Sequence, residues 1–397
     1  MAGMVIVGAG ECGVAAATAL RARGFTGEVT LIGDESGLPY EKPPLSKPVA
    51  DNAIFKPIAN AEALVSDGIV VSGVSTTRID RKARQVTLSN GSMVRYEKLL
   101  LATGAAPRRL NCPGARHALA LRTYDDAQAI YTAARPSTAA VIIGAGIIGL
   151  ELAAQLTMRN VDVTVIEAGP RALGRIVPQV LAKRLIERHE ARGVKFLFNN
   201  NIARIDDTGI VSQSGRVFPA DLVVAAIGVV PRTELAETAG LMTDNGICVD
   251  ACLQTEDPDI FAAGDCASVS LQSDRRRFET WTNAQGQGAL AAANMLGGSE
   301  TYDKPAWFWS DQYDLGLQSV GDVSGDPVAV RKCDADNEIL FFANPNGILI
   351  GASGLGPGNS VAKNIKLAEK LIAKSATTDK ASLSDPTYNL KGLLRAV

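Results

Sequence analysis

The stretch VIVGAGECGVAAATAL (5–20) returns later in the chain, without a gap, as VIIGAGIIGLELAAQL (141–156). Each copy begins with a β-branched run, continues with the glycines of a G-x-G-x-x-G motif and ends in an Ala-rich segment. This order predicts a buried parallel strand, a tight turn and a helix. A Val-Thr-rich run follows each copy, VTLIGDE (29–35) and VTVIEAG (163–169). The repetition of so long a pattern predicts two related domains.

A second shared element closes each half, LLLATGAAPR (99–108) and VVAAIGVVPR (223–232). The sequence therefore predicts an α/β fold with two Rossmann-like dinucleotide-binding domains. From Tyr302 the pattern changes to short alternating stretches, with an Asn-Pro-Asn-Gly hairpin turn at 344–347 and a helix at 359–374. We expect a small α+β domain at this end of the chain.

Composition excludes several classes of protein. The 397 residues include 40 basic and 42 acidic side chains, so we do not expect the chain to bind nucleic acid. The longest uncharged apolar runs, 1–10 and 139–150, are shorter than a membrane-spanning helix. No positive charge precedes Arg21, and Glu11 interrupts the first run, which argues against a signal peptide. We therefore expect a cytoplasmic protein without a membrane partner.

Cysteine and histidine usage argues against a metal centre. The chain has six cysteines, no Cys-x-x-Cys motif and only two histidines, His117 and His189. Three residues separate Cys248 from Cys252, and no histidine is near them. Zinc sites require clusters of such ligands, so we expect no metal site.

The glycines of both motifs have a physical role in holding a dinucleotide. The first permits the tight turn, the second lets a pyrophosphate approach the backbone, and the third lets the helix pack on the strand. The helix N-terminus adds free N–H groups and a partial positive charge for the phosphates. These residues are Gly8, Gly10 and Gly13 in the first copy and Gly144, Gly146 and Gly149 in the second.

An acid near the end of the second strand of each copy can accept the hydroxyls of an adenosine ribose. Glu167 has that place in the second copy, where its charge would repel a 2′-phosphate and predicts a preference for NADH over NADPH. In the first copy Gly33 aligns with it, and Glu35, just after Asp34, is the candidate. For Glu35 an ordinary solvated carboxylate is the alternative.

The segment TEDPDIFAAGDCA (255–267) predicts a strand at 260–263 that ends in Gly264 and Asp265. Asp265 there can accept a hydrogen bond from a ribityl hydroxyl, which a flavin nucleotide has and a nicotinamide nucleotide lacks; alternatively it caps a turn. Together with the first glycine motif, the segment resembles the FAD-binding set of two-dinucleotide-binding-domain flavoproteins, whose fold is glutathione-reductase-like. That family places FAD on the first copy and NAD(P)H on the second, which is inserted into the FAD domain.

Five further segments narrow the resemblance. They are LPYEKPPLSK (38–47), LRTYDDA (121–127), RFETWTNAQGQG (277–288), PAWFWSDQYD (305–314) and LSDP (383–386). Together they resemble the NADH-dependent ferredoxin reductases that serve Rieske-type oxygenases and some cytochromes P450, and the resemblance runs essentially end to end. The implied domains are a discontinuous FAD-binding domain (1–108 and 232–303), an NAD(H)-binding domain (109–231) and a C-terminal α+β domain (304–397).

The resemblance implies a flavoprotein reductase with tightly bound FAD. It would pass electrons from NADH, one at a time, to an acidic [2Fe–2S] ferredoxin that feeds an oxygenase, acting as a monomer or homodimer. Disulfide reductases of this fold have a reactive cysteine beside the flavin, whereas 38–47 contains none, so electrons should leave from the flavin itself. The basic run 275–277, close to Trp281, is a candidate docking surface for the ferredoxin or an ordinary solvated loop.

The resemblance also implies site residues for each cofactor. Beyond the glycines, those for FAD are Glu35 at the ribose, Lys42 nearby, Lys47 beside the flavin N5 edge, Thr103 and Gly104 flanking the cofactor, Arg122 in contact with it, Asp265 at the ribityl chain and Trp281 at the isoalloxazine. Those for NADH are Ile148 and Glu151 at the nicotinamide, Glu167 and Arg175 around the adenosine ribose and Gly228 at a close approach. We expect Lys47, Glu151 and Trp281 to act in catalysis. An exposed lysine and a helix-start charge are the alternatives for the first two.

Two other functions remain open at this stage. An NADH oxidase, or a reductase for another acceptor, would keep the fold, although the missing cysteine counts against water-forming oxidases and peroxidases. A binding protein that senses NADH, similar to the apoptosis-inducing factors, would use the same two domains without turnover.

Overall fold

The computed structural model describes residues 3–47, 53–174, 176–271, 274–377 and 379–395. The strands are β1 (Gly3–Val7), β2 (Val29–Ile32), β3 (Val70–Val71), β4 (Thr76–Asp80), β5 (Gln85–Leu88), β6 (Met93–Leu101), β7 (Ala105–Pro107), β8 (Leu119–Ala120), β9 (Ala139–Ile143), β10 (Asp162–Ile166), β11 (Lys195–Leu197), β12 (Ile202–Asp206), β13 (Gly209–Ser212), β14 (Val217–Pro219), β15 (Leu222–Ala225), β16 (Val229–Pro231), β17 (Ile247–Val249), β18 (Ile260–Ala262), β19 (Ala267–Leu271), β20 (Asp274–Arg276), β21 (Trp307–Gln312), β22 (Leu315–Gly321), β23 (Ala329–Lys332), β24 (Glu338–Ala343) and β25 (Leu349–Pro357). The helices are α1 (Glu11–Ala22), α2 (Ala61–Ser66), α3 (Tyr124–Ala133), α4 (Ile147–Met158), α5 (Gln179–Glu190), α6 (Glu234–Thr238), α7 (Trp281–Met295), α8 (Ala362–Ala373) and α9 (Lys380–Ser384).

The chain folds into two compact units. Unit 1 consists of Met1–Pro43, Phe55–Ala106 and Val229–Asp303, and unit 2 of Pro44–Ile54, Pro107–Gly228 and Lys304–Val397. The division into FAD-binding, NAD(H)-binding and C-terminal domains stays a prediction, because the structure groups the last two within unit 2.

Unit 1 is built on a sheet with the strand order β3-β2-β1-β6-β5-β4, and β18 also pairs with β6. Strand β1 runs parallel to β2 and β6, with Val5 opposite Thr30 and Leu99. Every residue of β1 is buried, as expected for a parallel strand covered on both faces. Helix α1 follows and packs on α7 at Gly288, where a Cβ would collide with the carbonyl oxygen of Cys12. The predicted strand, turn and helix of the first copy are confirmed.

Unit 2 contains the same arrangement a second time. Its sheet has the order β11-β10-β9-β15-β8. The central strand β9 runs parallel to β10 and β15, with Val141 opposite Thr164 and Val223. Helix α4 follows β9 as α1 follows β1, and its buried residues include Leu150 and Leu152. The α/β fold with two Rossmann-like halves is therefore confirmed.

The C-terminal segment of unit 2 forms an antiparallel sheet in the order β21-β22-β25-β24-β23. Helix α8 packs on β25 and β22 through Ile365, Ala368 and Leu371. The predicted hairpin turn joins β24 to β25, where the Asn344 amide donates to the carbonyl of Ile348. The α+β character predicted for this segment is confirmed.

The part of the chain that the structure describes holds neither a membrane span nor a cluster of metal ligands. None of the helices there combines the length and apolar character needed to cross a bilayer. No group of three or more histidine, cysteine, aspartate or glutamate side chains in the same residues could hold a metal ion.

Candidate functional site

The first glycine loop lies between β1 and α1 in unit 1. Gly8 has φ +114°, and a Cβ there would collide with the carbonyl oxygen of Ala102. A Cβ at Gly13 would collide with the Gly8 carbonyl oxygen, so both positions require glycine. At Gly10, by contrast, no described atom lies within 4 Å of the Cβ position, and no side chain there caps the helix. The first amides of α1 thus border open space, as an anion site requires.

The second loop, between β9 and α4, repeats this geometry in unit 2. Gly144 has φ +105°, and a Cβ there would collide with the carbonyl oxygen of Ala226. The Cβ position of Gly149 lies against the Gly144 carbonyl oxygen, whereas that of Gly146 has no described atom within 4 Å. Both loops therefore fit the pyrophosphate of a dinucleotide, because the backbone leaves room where the phosphates would bind.

Glu167 follows β10 directly, as the sequence predicts. Its Oε2 accepts the amide of Ala145, 2.8 Å away in the second loop, and its Oε1 accepts the amide of Gly169 at 2.6 Å. Both carboxylate oxygens are therefore fixed beside the loop, with lone pairs left for ribose hydroxyls. Arg175, predicted to lie near the same ribose, falls outside the described residues.

Glu35 and Lys42, both predicted FAD residues, are brought together in unit 1. Lys42 Nζ lies 2.9 Å from Glu35 Oε1, and the Tyr40 hydroxyl donates to Glu35 Oε2. Asp34 instead pairs with Arg232 at 3.0 Å, which favours Glu35 as the acid for the first ribose. Sequence reasoning missed Tyr40, although its place in the PYEKPP segment was visible.

Glu11 is a second residue that sequence reasoning missed. It begins α1 inside the first glycine loop, and Gln285 of α7 donates to it at 3.2 Å. Burial and the nearby Glu41 raise the pKa of Glu11 to about 7, while hydrogen bonding from Trp281 and Gln285 lowers it less. The signal in the sequence was an acid at a position next to which phosphates are expected.

Three further predicted FAD residues lie along the carboxyl ends of the unit 1 strands. Thr103 follows β6 and donates its hydroxyl to the Arg232 carbonyl at 2.7 Å, and the Gly104 carbonyl accepts the Arg232 amide at 3.0 Å. Asp265 follows β18 in a short 3-10 turn, preceded by Gly264 with φ +79°. These positions lie at the sheet edge where open α/β sheets bind ligands.

Lys47 and Glu151, predicted as catalytic, form an ion pair in unit 2. Lys47 Nζ lies 3.2 Å from Glu151 Oε1, and the Glu151 residue is only 4% exposed. The hydroxyl of Ser46 donates to Oε2, and that of Ser310 donates to Oε1 at 2.7 Å. Lys47 Nζ also lies 5.5 Å from the ring centre of Trp309. The carboxylate is thus fully hydrogen-bonded, whereas the ammonium group keeps some access to solvent.

The segment that contains Lys47 is fixed by helix α3. The Tyr131 hydroxyl of α3 donates to the Leu45 carbonyl at 3.0 Å, and the Arg159 guanidinium lies over the Tyr131 ring.

Sequence reasoning did not single out Ser46 or Ser310 as partners of Glu151. Nothing in the sequence around either serine predicts a contact with a carboxylate that is so distant in the chain.

The other predicted NADH residues of unit 2 also lie at its carboxyl edge. Ile148 lies in the first turn of α4 and is 40% exposed, so its side chain is accessible to a ligand. Gly228 has φ +94°, and no described atom lies within 4 Å of its Cβ position. Arg122, which was predicted to contact FAD, also belongs to unit 2; it precedes α3, and its backbone amide donates to Asp126 of a capping box.

The basic run at 275–277 is largely engaged within unit 1. Arg275 Nη1 donates to the carbonyls of Val249 and Ser268, and Arg277 pairs with Glu279 at 2.6 Å. Arg275 and Arg276 are nevertheless exposed, so the interpretation of the run as a docking surface for an acidic partner stays a prediction.

Cys12 and Cys266 are buried thiols that are not activated for nucleophilic chemistry. All six are free thiols, and Cys12 and Cys266 are buried. Burial raises the pKa of both thiols, and the nearby Cys266 raises that of Cys12 further. A raised pKa lowers the thiolate fraction, so neither group is activated as a nucleophile.

Comparison with protein families gives two matches. Residues 3–288 match the pyridine nucleotide-disulphide oxidoreductase family, and residues 307–394 match the reductase C-terminal family.

Solved structures similar to this chain cover nearly its whole length. The ferredoxin reductase for the CYP199A2 system from Rhodopseudomonas palustris is 33% identical with a TM-score of 0.92, over 99% of each chain. A chain of the covalent putidaredoxin reductase–putidaredoxin complex is 32% identical with a TM-score of 0.90, over 100% of this chain and 98% of that one. The protein Fdr9 is 29% identical with a TM-score of 0.88, over 98% of this chain and 99% of that one.

Proposed function

Because this chain belongs to the pyridine nucleotide-disulphide oxidoreductase family, it is an FAD- and NAD(H)-dependent oxidoreductase, and we propose that its electron acceptor is a [2Fe–2S] ferredoxin. We further propose that this ferredoxin feeds an oxygenase. The observation that carries the proposal is similarity over both units, including the reductase C-terminal segment, to a ferredoxin reductase and to a putidaredoxin reductase.

The two glycine loops support a division of labour between the cofactors. We assign FAD to the loop of Gly8, Gly10 and Gly13, and NADH to the loop of Gly144, Gly146 and Gly149. Bound FAD supplies the central chemistry, since it takes two electrons from NADH and releases them one at a time.

Around FAD, the protein supplies polar groups and close backbone contacts. Glu35 would accept the ribose hydroxyls with Lys42 beside it, and Asp265 would accept from the ribityl chain. Thr103, Gly104, Arg122 and Trp281 complete the proposed surroundings of the flavin. The Glu35–Lys42 pair supports the first assignment, because it holds the carboxylate in one orientation.

On the coenzyme side, Glu167 would bind the adenosine ribose and exclude a 2′-phosphate. Two backbone amides fix its carboxylate, so it cannot easily turn away from an added negative charge. We therefore propose that the protein prefers NADH to NADPH. Ile148, Glu151 and Gly228 would form the nicotinamide end of the same site.

We propose that the positive charge of Lys47 assists the reduction of the flavin. A cation held at the flavin would favour the build-up of negative charge as electrons arrive. Glu151 keeps the ammonium group in place through an ion pair of 3.2 Å. No cysteine in 38–47 offers a thiol route for the electrons.

Steady-state reduction of cytochrome c by NADH, with and without a [2Fe–2S] ferredoxin, tests the proposed acceptor. We expect strong stimulation by the ferredoxin and slow oxygen consumption without it. Rapid oxygen consumption that ferredoxin does not change would identify an NADH oxidase. A long-lived NADH complex without turnover, coupled to a change in oligomeric state, would identify a sensor.

A further inference from the structure

A chain of hydrogen bonds runs from the buried Glu151 carboxylate into the hairpin of β21 and β22. Ser310 Oγ donates to Glu151 Oε1 at 2.7 Å, and Gln312 Nε2 donates to Ser310 Oγ at 3.0 Å. Gln312 Oε1 lies 2.8 Å from His189 Nε2, and the Tyr313 hydroxyl lies 3.2 Å from His189 Nδ1. We call Ser310, Gln312, His189 and Tyr313 the Glu151 chain.

Chemistry fixes the direction of each bond in the Glu151 chain. The ion-paired carboxylate of Glu151 can only accept, so Ser310 donates its single proton to it and accepts from Gln312. The Gln312 amide therefore turns its nitrogen to Ser310 and its oxygen to His189. This orientation requires the imidazole proton on Nε2, which leaves Nδ1 to accept from Tyr313. Every donor in the chain thus points toward Glu151.

Burial makes this arrangement costly unless each group has its partner. Ser310 and Gln312 are 1% exposed, and His189 is 0% exposed. Burial lowers the pKa of His189 more than the hydrogen bond to Gln312 raises it, so the ring is neutral at neutral pH. A neutral ring has a single N–H, as the direction of the chain requires.

Helix α5 holds the hairpin turn beside the Glu151 chain. Arg188 Nη2 lies 3.3 Å from Asp314 Oδ2, and the Arg192 guanidinium lies over the Tyr313 ring. The His189 and Tyr313 rings meet edge to face with centres 4.9 Å apart. Tyr313 has φ +56°, a left-handed conformation that costs a bulky residue free energy. The contacts of its ring and hydroxyl offset this cost and fix the end of the chain.

We propose that Ser310, Gln312 and His189 are positioning residues that hold the Glu151 carboxylate against Lys47. The inference rests on the proposed role of this ion pair in the reduction of FAD by NADH. Aligned hydrogen bonds in a low-dielectric interior strengthen one another, so the loss of one link loosens the carboxylate. The Glu151 chain orients the carboxylate and does not conduct protons. A relay would require the Gln312 side chain to accept a proton on its oxygen and release one from its nitrogen, which an amide does not do readily.

The first test is spectroscopic and needs no substitution, since the whole protein has only two histidines. In FAD-loaded protein labelled with ¹⁵N-histidine, NMR reports the tautomer of each ring. We expect His189 to be the neutral Nε2–H tautomer at neutral pH, with the exposed His117 as the reference signal. A protonated His189 ring, or the Nδ1–H tautomer, would overturn the proposal.

The second test measures flavin reduction after rapid mixing with NADH. Ser310→Ala should lower the limiting rate about fivefold and leave the Kd of NADH unchanged, as expected for the loss of one hydrogen bond. Ser310→Thr keeps the hydroxyl and should restore the rate. Ser319→Ala is the matched control, because it removes a buried hydroxyl of the same sheet whose partner among the described residues is Ser353, at 2.6 Å. An unchanged rate in Ser310→Ala would overturn the proposal.

A double-substitution cycle separates positioning from a general loss of structure. In a Lys47→Ala background, Ser310→Ala should have little further effect, because the Glu151 chain acts through that ion pair. Gln312→Met should behave like Ser310→Ala in both backgrounds. Full additivity of the two changes would contradict the proposal.

Neither readout includes an electron acceptor. A failure of the ferredoxin assay would therefore overturn the proposed acceptor and leave the positioning role standing. Conversely, an additive cycle would overturn the positioning role whatever the acceptor is.

Discussion

Lys47 Nζ lies 3.2 Å from Oε1 of Glu151, and this ion pair joins the Pro-Pro-Leu-Ser-Lys segment to the N-terminal half of α4. The carboxylate is buried and accepts two serine hydroxyls, whereas the lysine side chain is 22% exposed. Lys47 Nζ also lies 3.8 Å from Oδ2 of the more exposed Asp311, so a buried and an exposed carboxylate both hold the ammonium group. Because the Lys47 side chain is partly exposed, it can contact a bound ligand.

Replacing Lys47 should slow the reduction of FAD without releasing the cofactor. For Lys47→Ala we expect a loss of about tenfold or more in the limiting rate with NADH, since one preorganised charge is removed. Lys183→Ala is the control, because it removes an exposed i,i+4 ion pair of the same unit at 3.7 Å. Equal rates for the two variants would remove Lys47 from the reaction.

The open space at each glycine loop predicts that a single substitution there weakens the binding of one cofactor and leaves the other bound. Gly146 has φ −81° and room for a methyl group, so Gly146→Ala should fold normally, keep FAD and weaken NADH binding about tenfold or more. Gly10→Ala, at the matching position, should instead lower the FAD content of the purified protein. FAD loss in Gly146→Ala would contradict the assignment of the loops.

Glu167 should control the choice of coenzyme. The ratio of kcat/KM for NADH over NADPH is expected to fall about tenfold in Glu167→Gln, because the charge opposite a 2′-phosphate disappears. FAD content and reduction by dithionite serve as controls for the fold. A wild-type protein that uses NADPH at least as well as NADH would show that the carboxylate does not contact the ribose.

Glu11 should make stability depend on pH. Its pKa is raised from 4.5 to about 7, so the folded state binds the proton more tightly than the unfolded state. The stabilisation is fully present below about pH 4.5 and is lost as the pH rises through about 7. The difference is about 1 kcal/mol, since part of the carboxyl group faces water.

Thermal unfolding at both ends of this pH window tests the role of Glu11. The wild type should lose more stability toward alkaline pH than Glu11→Gln, which has no charge to bury. Glu62→Gln, at an exposed position in α2, is the control. Parallel pH profiles for all three proteins would show that Glu11 is ionised at little cost.

The two Rossmann-like halves were predictable because their signals are local. A β-branched run, three spaced glycines and an Ala-rich stretch fix strand, turn and helix within about 16 residues. Glu167 could be placed from the same pattern, since it directly follows a strand. The fold and the position of the nucleotide loops therefore followed from the repeat.

The surroundings of Glu151 could not be predicted in this way. Its partners Ser46, Lys47 and Ser310 come from segments that are distant in sequence and meet only in the folded unit. No sequence pattern around a serine indicates that its hydroxyl will contact a carboxylate distant in the chain. The resemblance to known reductases supplied Lys47 and Glu151, whereas the serines became visible only in the structure.

The measurement that tests the central claim most directly is the anaerobic reduction of oxidised [2Fe–2S] ferredoxin by the FAD-loaded protein with a limiting amount of NADH. If the protein takes two electrons from NADH and releases them one at a time, it should reduce about two ferredoxins for each NADH consumed, without added mediators. Ferredoxin that stays oxidised although NADH has reduced the flavin would contradict the account.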